Sequence, residues 1–201
     1  MKYINQLDYP YWLYVTRTDM DEANRIKGQT TTVATSGCGL CSAVMVADRL
    51  LVKSDFELKD ALQLSYDVKA NYKGGTNSER YFPAYAEKMG FHYKKTKDTE
   101  ELRHCLRTGG AAIILVTGDR KDDGYHGVFS DYARHYIAAI AEERDGRILV
   151  LDPAYEEGGY EKGDRKGKVE VKGRGMGICE MKILEEETVP IETPFHLFWR
   201  G

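Results

Sequence analysis

The order of hydrophobic patterns predicts an α+β fold. Three observations carry it. A helical pattern begins at residue 38, three more helical stretches follow before residue 107, and beyond residue 111 come short apolar runs separated by turn signals. Helices thus come first and an antiparallel meander second. With 201 residues, no internal repeat and no composition shift marking a boundary, the expectation is a single domain spanning 1–201.

Bulk composition bounds the partners. A net charge of −3 gives no electrostatic case for nucleic acid or an anionic membrane as partner. No apolar run reaches membrane-spanning length, and the start, Met1-Lys2-Tyr3-Ile4-Asn5-Gln6, lacks the apolar core of a secretory signal. The expected location is therefore cytoplasmic, or secreted if a leader precedes this sequence. The four cysteines, Cys38, Cys41, Cys105 and Cys179, are too few and too irregular for a disulfide framework, which leaves thiols free for chemistry. Oligomeric state is not legible.

Taken in order, the chain opens loop-rich, with aromatic residues around Pro10 and a polar stretch over 19–27. An extended piece over 30–34 leads into Ser36-Gly37-Cys38-Gly39, where Ser36 is placed to cap a helix. In that helix Leu40, Ala43, Val44, Ala47, Leu50 and Leu51 share one face. Ser54 and Glu57 have capping-box spacing and open a helix to about residue 66. Thr76 and Glu79 repeat the spacing before a helix that Gly90 ends, with Pro83 expected in its first turn. A short strand over 91–93, a helix over 99–106 and a buried strand over 111–116 follow. The polar stretch 117–131 reads as a surface loop near the site. Apolar runs over 135–141 and 147–151 flank Arg144-Asp145-Gly146, a good hairpin turn. After a charged, glycine-rich loop, strands are expected near 168–172, 179–184 and 194–199. The acidic run Glu185-Glu186-Glu187 reads as solvated surface.

The chemistry centres on Cys38. A helix N-terminus favours an anion, so a thiolate there is a better nucleophile at neutral pH. Gly37 and Gly39 carry no side chains, which would let a substrate carbonyl approach the sulfur. A thiolate nucleophile needs a base, a group to orient that base, and donors for an oxyanion. Of the five histidines, His135 is best placed, at the start of an apolar strand after a polar loop. In an antiparallel hairpin turning near Asp145, the start of one strand lies beside the end of the next, so Asp152 neighbours His135. His126 is the rival base; His92, His104 and His196 read as surface or packing residues.

These segments resemble a known family. The run 32–39 with Ser42-Ala43-Val44-Met45-Val46 resembles the nucleophile segment of papain-like cysteine peptidases of the bacteriocin-processing (double-glycine leader) peptidase-like group. Gly75-Thr76-Asn77 with Phe82-Pro83-Ala84-Tyr85-Ala86, the His135 strand and Leu149-Val150-Leu151-Asp152-Pro153 resemble its later segments in the same order. The resemblance covers roughly residues 1–155. It implies a papain-like fold, with a nucleophile helix packed against an antiparallel sheet that bears the histidine. It implies hydrolysis of a peptide or amide bond in a peptide or protein substrate through a thioester acyl-enzyme, with no metal or organic cofactor. Cys38 would be the nucleophile, His135 the general base and acid, and Asp152 the orienter.

The sequence departs from that pattern in places. Leu40 and Cys41 stand where proline and a small residue are usual, and Arg134 precedes the histidine where glycine is common. The usual position of the oxyanion glutamine is held by Thr32. Gln6 resembles the glutamine of members with a longer intervening loop and is the favoured donor beside the Cys38 amide; Gln29 is the alternative. Acyl transfer, or peptide binding without catalysis, could use the same fold. Cys38-Gly39-Leu40-Cys41 is also a C-x-x-C, but a thioredoxin-like role wants an apolar strand feeding directly into it. Zinc would need a second ligand pair, which is missing.

Overall fold

The computed structural model describes residues 1–15, 31–72, 74–131 and 133–201; Gln29, the polar stretch 19–27 and Thr30 lie outside the described residues. A 3₁₀ turn at Gln6–Asp8 and strand β1 (Leu13–Val15) come first; β1 pairs with β2 (Thr31–Thr32). Then follow helices α1 (Val33–Ser36), α2 (Cys38–Leu51) and α3 (Leu58–Asp67), a small pair of strands β3 (Asn71–Tyr72) and β4 (Gly75–Thr76), and α4 (Ser78–Met89). The main sheet draws on β5 (His92–Thr96), β6 (Ala111–Val116), β7 (His135–Glu142), β8 (Ile148–Leu151), β9 (Val169–Gly173), β10 (Met176–Cys179) and β11 (Phe195–Trp199). Between these lie α5 (Thr99–Arg107) and α6 (Met181–Thr188).

The seven strands run β5-β11-β6-β7-β8-β10-β9, antiparallel throughout. Both faces of the central strands are covered. Ile113, Ala138 and Ile140 join a core with α2, α3 and α4, whereas Ala112, Ile114, Ile137 and Ala139 join a second core with α5 and α6. Burial on both faces explains why β6 and β7 read as continuous apolar runs rather than alternating ones. The mixture of helices and antiparallel sheet agrees with the expected α+β class. Among the described residues no helix is long and apolar enough to cross a membrane.

Helix α2 runs along β7. Ser42 Oγ donates to the Tyr136 carbonyl at 3.3 Å, and Arg49 Nε donates to the Ile140 carbonyl at 2.9 Å. Seven helical residues advance about 10 Å while four strand residues advance about 13 Å, so the two elements keep step. The start of α2 is thereby held beside the start of β7.

Several local expectations are corrected. Residues 33 and 34 belong to α1 rather than to an extended piece, and Gly37, not Ser36, is the N-cap of α2. In α2 burial extends beyond the expected apolar face: Leu40, Ala43, Val44, Ala47 and Leu50 are buried, and so is every other residue from Cys38 to Ala47. Helix α3 starts later than expected, capped by Glu57 in a reciprocal box with Asp60, while Ser54 Oγ accepts from the Phe56 amide one turn earlier. Asn77 rather than Thr76 caps α4, accepting from the amides of Glu79 and Arg80, and Pro83 sits in its second turn. The strand expected over 179–184 is instead the end of β10 and the first half of α6. Glu187 is not solvated. It is fully buried, and its Oε1 accepts from the Tyr125 hydroxyl at 2.6 Å and the Val128 amide at 2.7 Å.

Candidate active site

Cys38 opens α2 at its N-terminal turn, where the first amides have no partner within the helix. Its thiol meets the imidazole of His135, the first residue of β7. His135 Nε2 lies 2.7 Å from Asp152 Oδ1, so the ring faces the sulfur through its other nitrogen, Nδ1. Strand β8 ends at Leu151, opposite Ala138, and the Asp152 carboxylate reaches back past the strand end to the ring. All three groups are buried.

Their charges support one another. Burial opposes ionisation of Cys38, yet the hydrogen bond and positive charge of His135, with the backbone amides of Tyr136 and Gly39, bring its pKa below the ordinary thiol value. Burial also opposes the His135 cation, but the Asp152 carboxylate and the Cys38 sulfur raise its pKa to about 10. Asp152 is held below the usual carboxylate range: burial works against this, and His135, the Tyr160 hydroxyl and the Ala154 amide outweigh it. The other thiols go the opposite way. Burial pushes Cys105 to about 11 and Cys179 to about 12, and burial with the neighbouring Cys38 charge holds Cys41 well above the ordinary thiol value. All four cysteines are free. The arrangement can hold a thiolate–imidazolium pair, with the other three cysteines kept protonated.

Gln6 lies on the same cavity, of about 420 Å³, together with Cys38, His135 and Asp152. Its Nε2 donates to the Ala34 carbonyl at 2.8 Å. Its Oε1 is buried without a hydrogen-bond partner among the described residues. A second hollow of about 350 Å³ adjoins it at Cys38, lined by Tyr72, Asn77, Leu115, Arg134 and Tyr136 among others. Arg134 borders both hollows, so its exposed cation stands at the mouth of the cleft.

The glycines around the sulfur are required by the chain's own packing. A Cβ on Gly39 would lie 2.8 Å from Thr76 Oγ1 and 3.3 Å from the Tyr136 ring. One on Gly37 would lie 2.6 Å from the Val33 side chain. His126, the rival base, is outside the Cys38 cavity; its exposed ring sits 3.4 Å from Asp119. His196 is buried, bonded through Nδ1 to the Tyr93 hydroxyl at 2.9 Å, with burial pushing its pKa down to about 3.

Two tyrosines at the site were not anticipated. Tyr160 donates to Asp152 Oδ2, and Tyr3 donates to the Asp152 backbone carbonyl at 2.7 Å. Tyr160 comes from the charged loop after Pro153, in a 3₁₀ turn at Gly159–Glu161. Nothing periodic surrounds it, so no sequence pattern could have singled it out.

No family model matches the chain, and no curated protein matches it in sequence. Among solved structures, the fold is similar to one from Bacillus anthracis described as a "putative C39-like peptidase". The TM-score is 0.57 at 12% identity, and the match covers 100% of this chain and 94% of the other. At that identity the likeness shows a shared fold.

Proposed function

We propose that the chain is a papain-like cysteine peptidase, working as one unit over 1–201 on a peptide or protein substrate. The observation that carries this reading is the unbroken line from the Cys38 thiol through the His135 imidazole to the Asp152 carboxylate, set at a cleft. The fold shared with a protein described as a C39-like peptidase supports it, as do the sequence segments that resemble bacteriocin-processing peptidases.

In this mechanism the Cys38 thiolate attacks the scissile carbonyl while His135 carries the proton. The oxyanion that forms is met by the Cys38 backbone amide and the side-chain amide of Gln6. His135 then gives its proton to the leaving amine, and the carbon–nitrogen bond breaks to leave a thioester. Water, deprotonated by His135, attacks the thioester; the acid product leaves and the thiol is restored. Asp152 holds the ring in the tautomer that keeps Nδ1 toward sulfur.

The test is a comparison of the protein with its Cys38→Ala variant against a peptide library, read by mass spectrometry. Cleavage that disappears in the variant supports the reading. No cleavage by the unaltered protein, together with Cys38 alkylation by iodoacetamide no faster than that of the other thiols at pH 7, would overturn it.

A further inference from the structure

Asp152 is gripped from two directions. Its Oδ1 faces His135 Nε2 at 2.7 Å and accepts from the Ala154 amide at 2.8 Å, while its Oδ2 accepts from the Tyr160 hydroxyl. A carboxylate bonded through one oxygen alone can still turn about its Cβ–Cγ bond; donors on both oxygens stop that rotation. Tyr160 is well fixed for the task. Its ring is buried and packs edge-on against Phe129 at 5.8 Å and tilted against Tyr155 at 5.5 Å. Burial and the adjacent carboxylate raise the phenol's pKa, so it remains a donor across the neutral range.

We propose that Tyr160 is a positioning residue: through Asp152 Oδ2 it fixes the plane of the carboxylate and thereby the angle at which His135 is presented to Cys38. The inference rests on the peptidase reading for its catalytic consequence, although its structural core concerns only Asp152 and His135. Tyr160 also lines the Cys38 cavity, as do its loop neighbours Tyr155, Glu156 and Gly159. The loop that walls the cleft is therefore the loop that steadies the orienter.

The test uses Tyr160→Phe, which removes one oxygen and keeps the ring packing that holds the loop. Two readouts are taken: the ¹⁵N-edited NMR titration of the His135 imidazole, and steady-state cleavage of a peptide substrate. In the variant we expect the His135 titration midpoint to fall by about one pH unit, because a carboxylate free to turn pairs less well with the ring. We expect kcat to drop about tenfold with KM unchanged, since positioning acts on the transition state. An unchanged His135 titration in a folded Tyr160→Phe protein would overturn the proposal whatever the activity. A shifted titration in a protein that cleaves no peptide would uphold the positioning and sink only the peptidase reading.

Discussion

The backbone amide of Gln6 donates to the carbonyl of Pro153 at 2.7 Å, which laces the candidate oxyanion donor to the residue that follows Asp152. Two more bonds draw the same segments together: the Tyr3 hydroxyl to the Asp152 carbonyl at 2.7 Å, and Asn5 Nδ2 to the Tyr155 carbonyl at 2.8 Å. The first six residues thus form a clasp over the end of β8. Because these three bonds come from the Gln6 backbone amide and the side chains of Tyr3 and Asn5, the Gln6 side chain can be altered without undoing the clasp. Gln6→Ala is expected to lower kcat about 10²-fold, the usual cost of one oxyanion donor, with KM little changed. Steady-state kinetics on a cleaved peptide checks this, and an equal loss in KM would point to substrate binding instead.

The pH dependence of thiol reactivity follows from the paired charges. Cys38 is lowered from the ordinary thiol value and His135 is raised to about 10, so the ion pair exists between those two limits. Alkylation of Cys38 by iodoacetamide should already be fast at pH 7, and kcat/KM should fall again as His135 deprotonates near pH 10. In His135→Ala, alkylation should lose its neutral-pH phase and rise only in the alkaline range of a buried thiol. Mass-resolved labelling across pH separates Cys38 from the other three cysteines.

The same pair makes stability depend on pH, and the signs can be worked out. His135 has a raised folded-state pKa, so its contribution is complete below 6.5 and fades as pH climbs toward about 10. Asp152 is depressed, so its contribution is complete above 3.8 and fades as pH falls through its lower folded value. The urea midpoint should therefore sag at both ends of this window. Asp152→Ala leaves His135 and Tyr160 buried without their acceptor, and should cost about 3–5 kcal/mol at pH 6. Urea titration of the two proteins at pH 6 measures it.

Packing around Gly39 offers a different lever. A methyl group there meets Thr76 Oγ1 at 2.8 Å and Thr76 Cβ at 3.1 Å, and that hydroxyl is itself bonded to the buried Tyr14 hydroxyl at 2.7 Å. Gly39→Ala should destabilise by about 1–3 kcal/mol, as overpacked cores do. Thermal melts check it, and the double variant with Thr76→Ala should show a smaller loss than the two single changes summed.

The meeting of Cys38, His135 and Asp152 was legible because each sits at the end of an element whose periodicity or turn chemistry is strong. The hairpin at Asp145 set the register of β7 against β8, and with it the neighbourhood of Asp152. Where the sequence misled, tertiary context had overridden a local signal. The acidic run at 185–187 looked like surface, yet Glu187 is buried, its Oε1 accepting from the Tyr125 hydroxyl and the Val128 amide of a loop about sixty positions away in the chain. The capping-box spacing of Ser54 with Glu57 competed with an equivalent box three residues later, and the later one opens α3. Tyr160 carried no signal at all, since its partner is chosen by the loop's path and not by spacing.

The first ten residues of α2 are buried on every side, and this governs how the nucleophile can be lost. A helix with one wet flank can fray or breathe on its own, whereas one wedged between a sheet and two neighbouring helices can let go only when those layers part. Slow amide exchange should therefore be concentrated around the sulfur. On warming, the selective labelling of Cys38 and the fold should be lost at one temperature, with no partly melted form that keeps its shape but has misplaced its nucleophile.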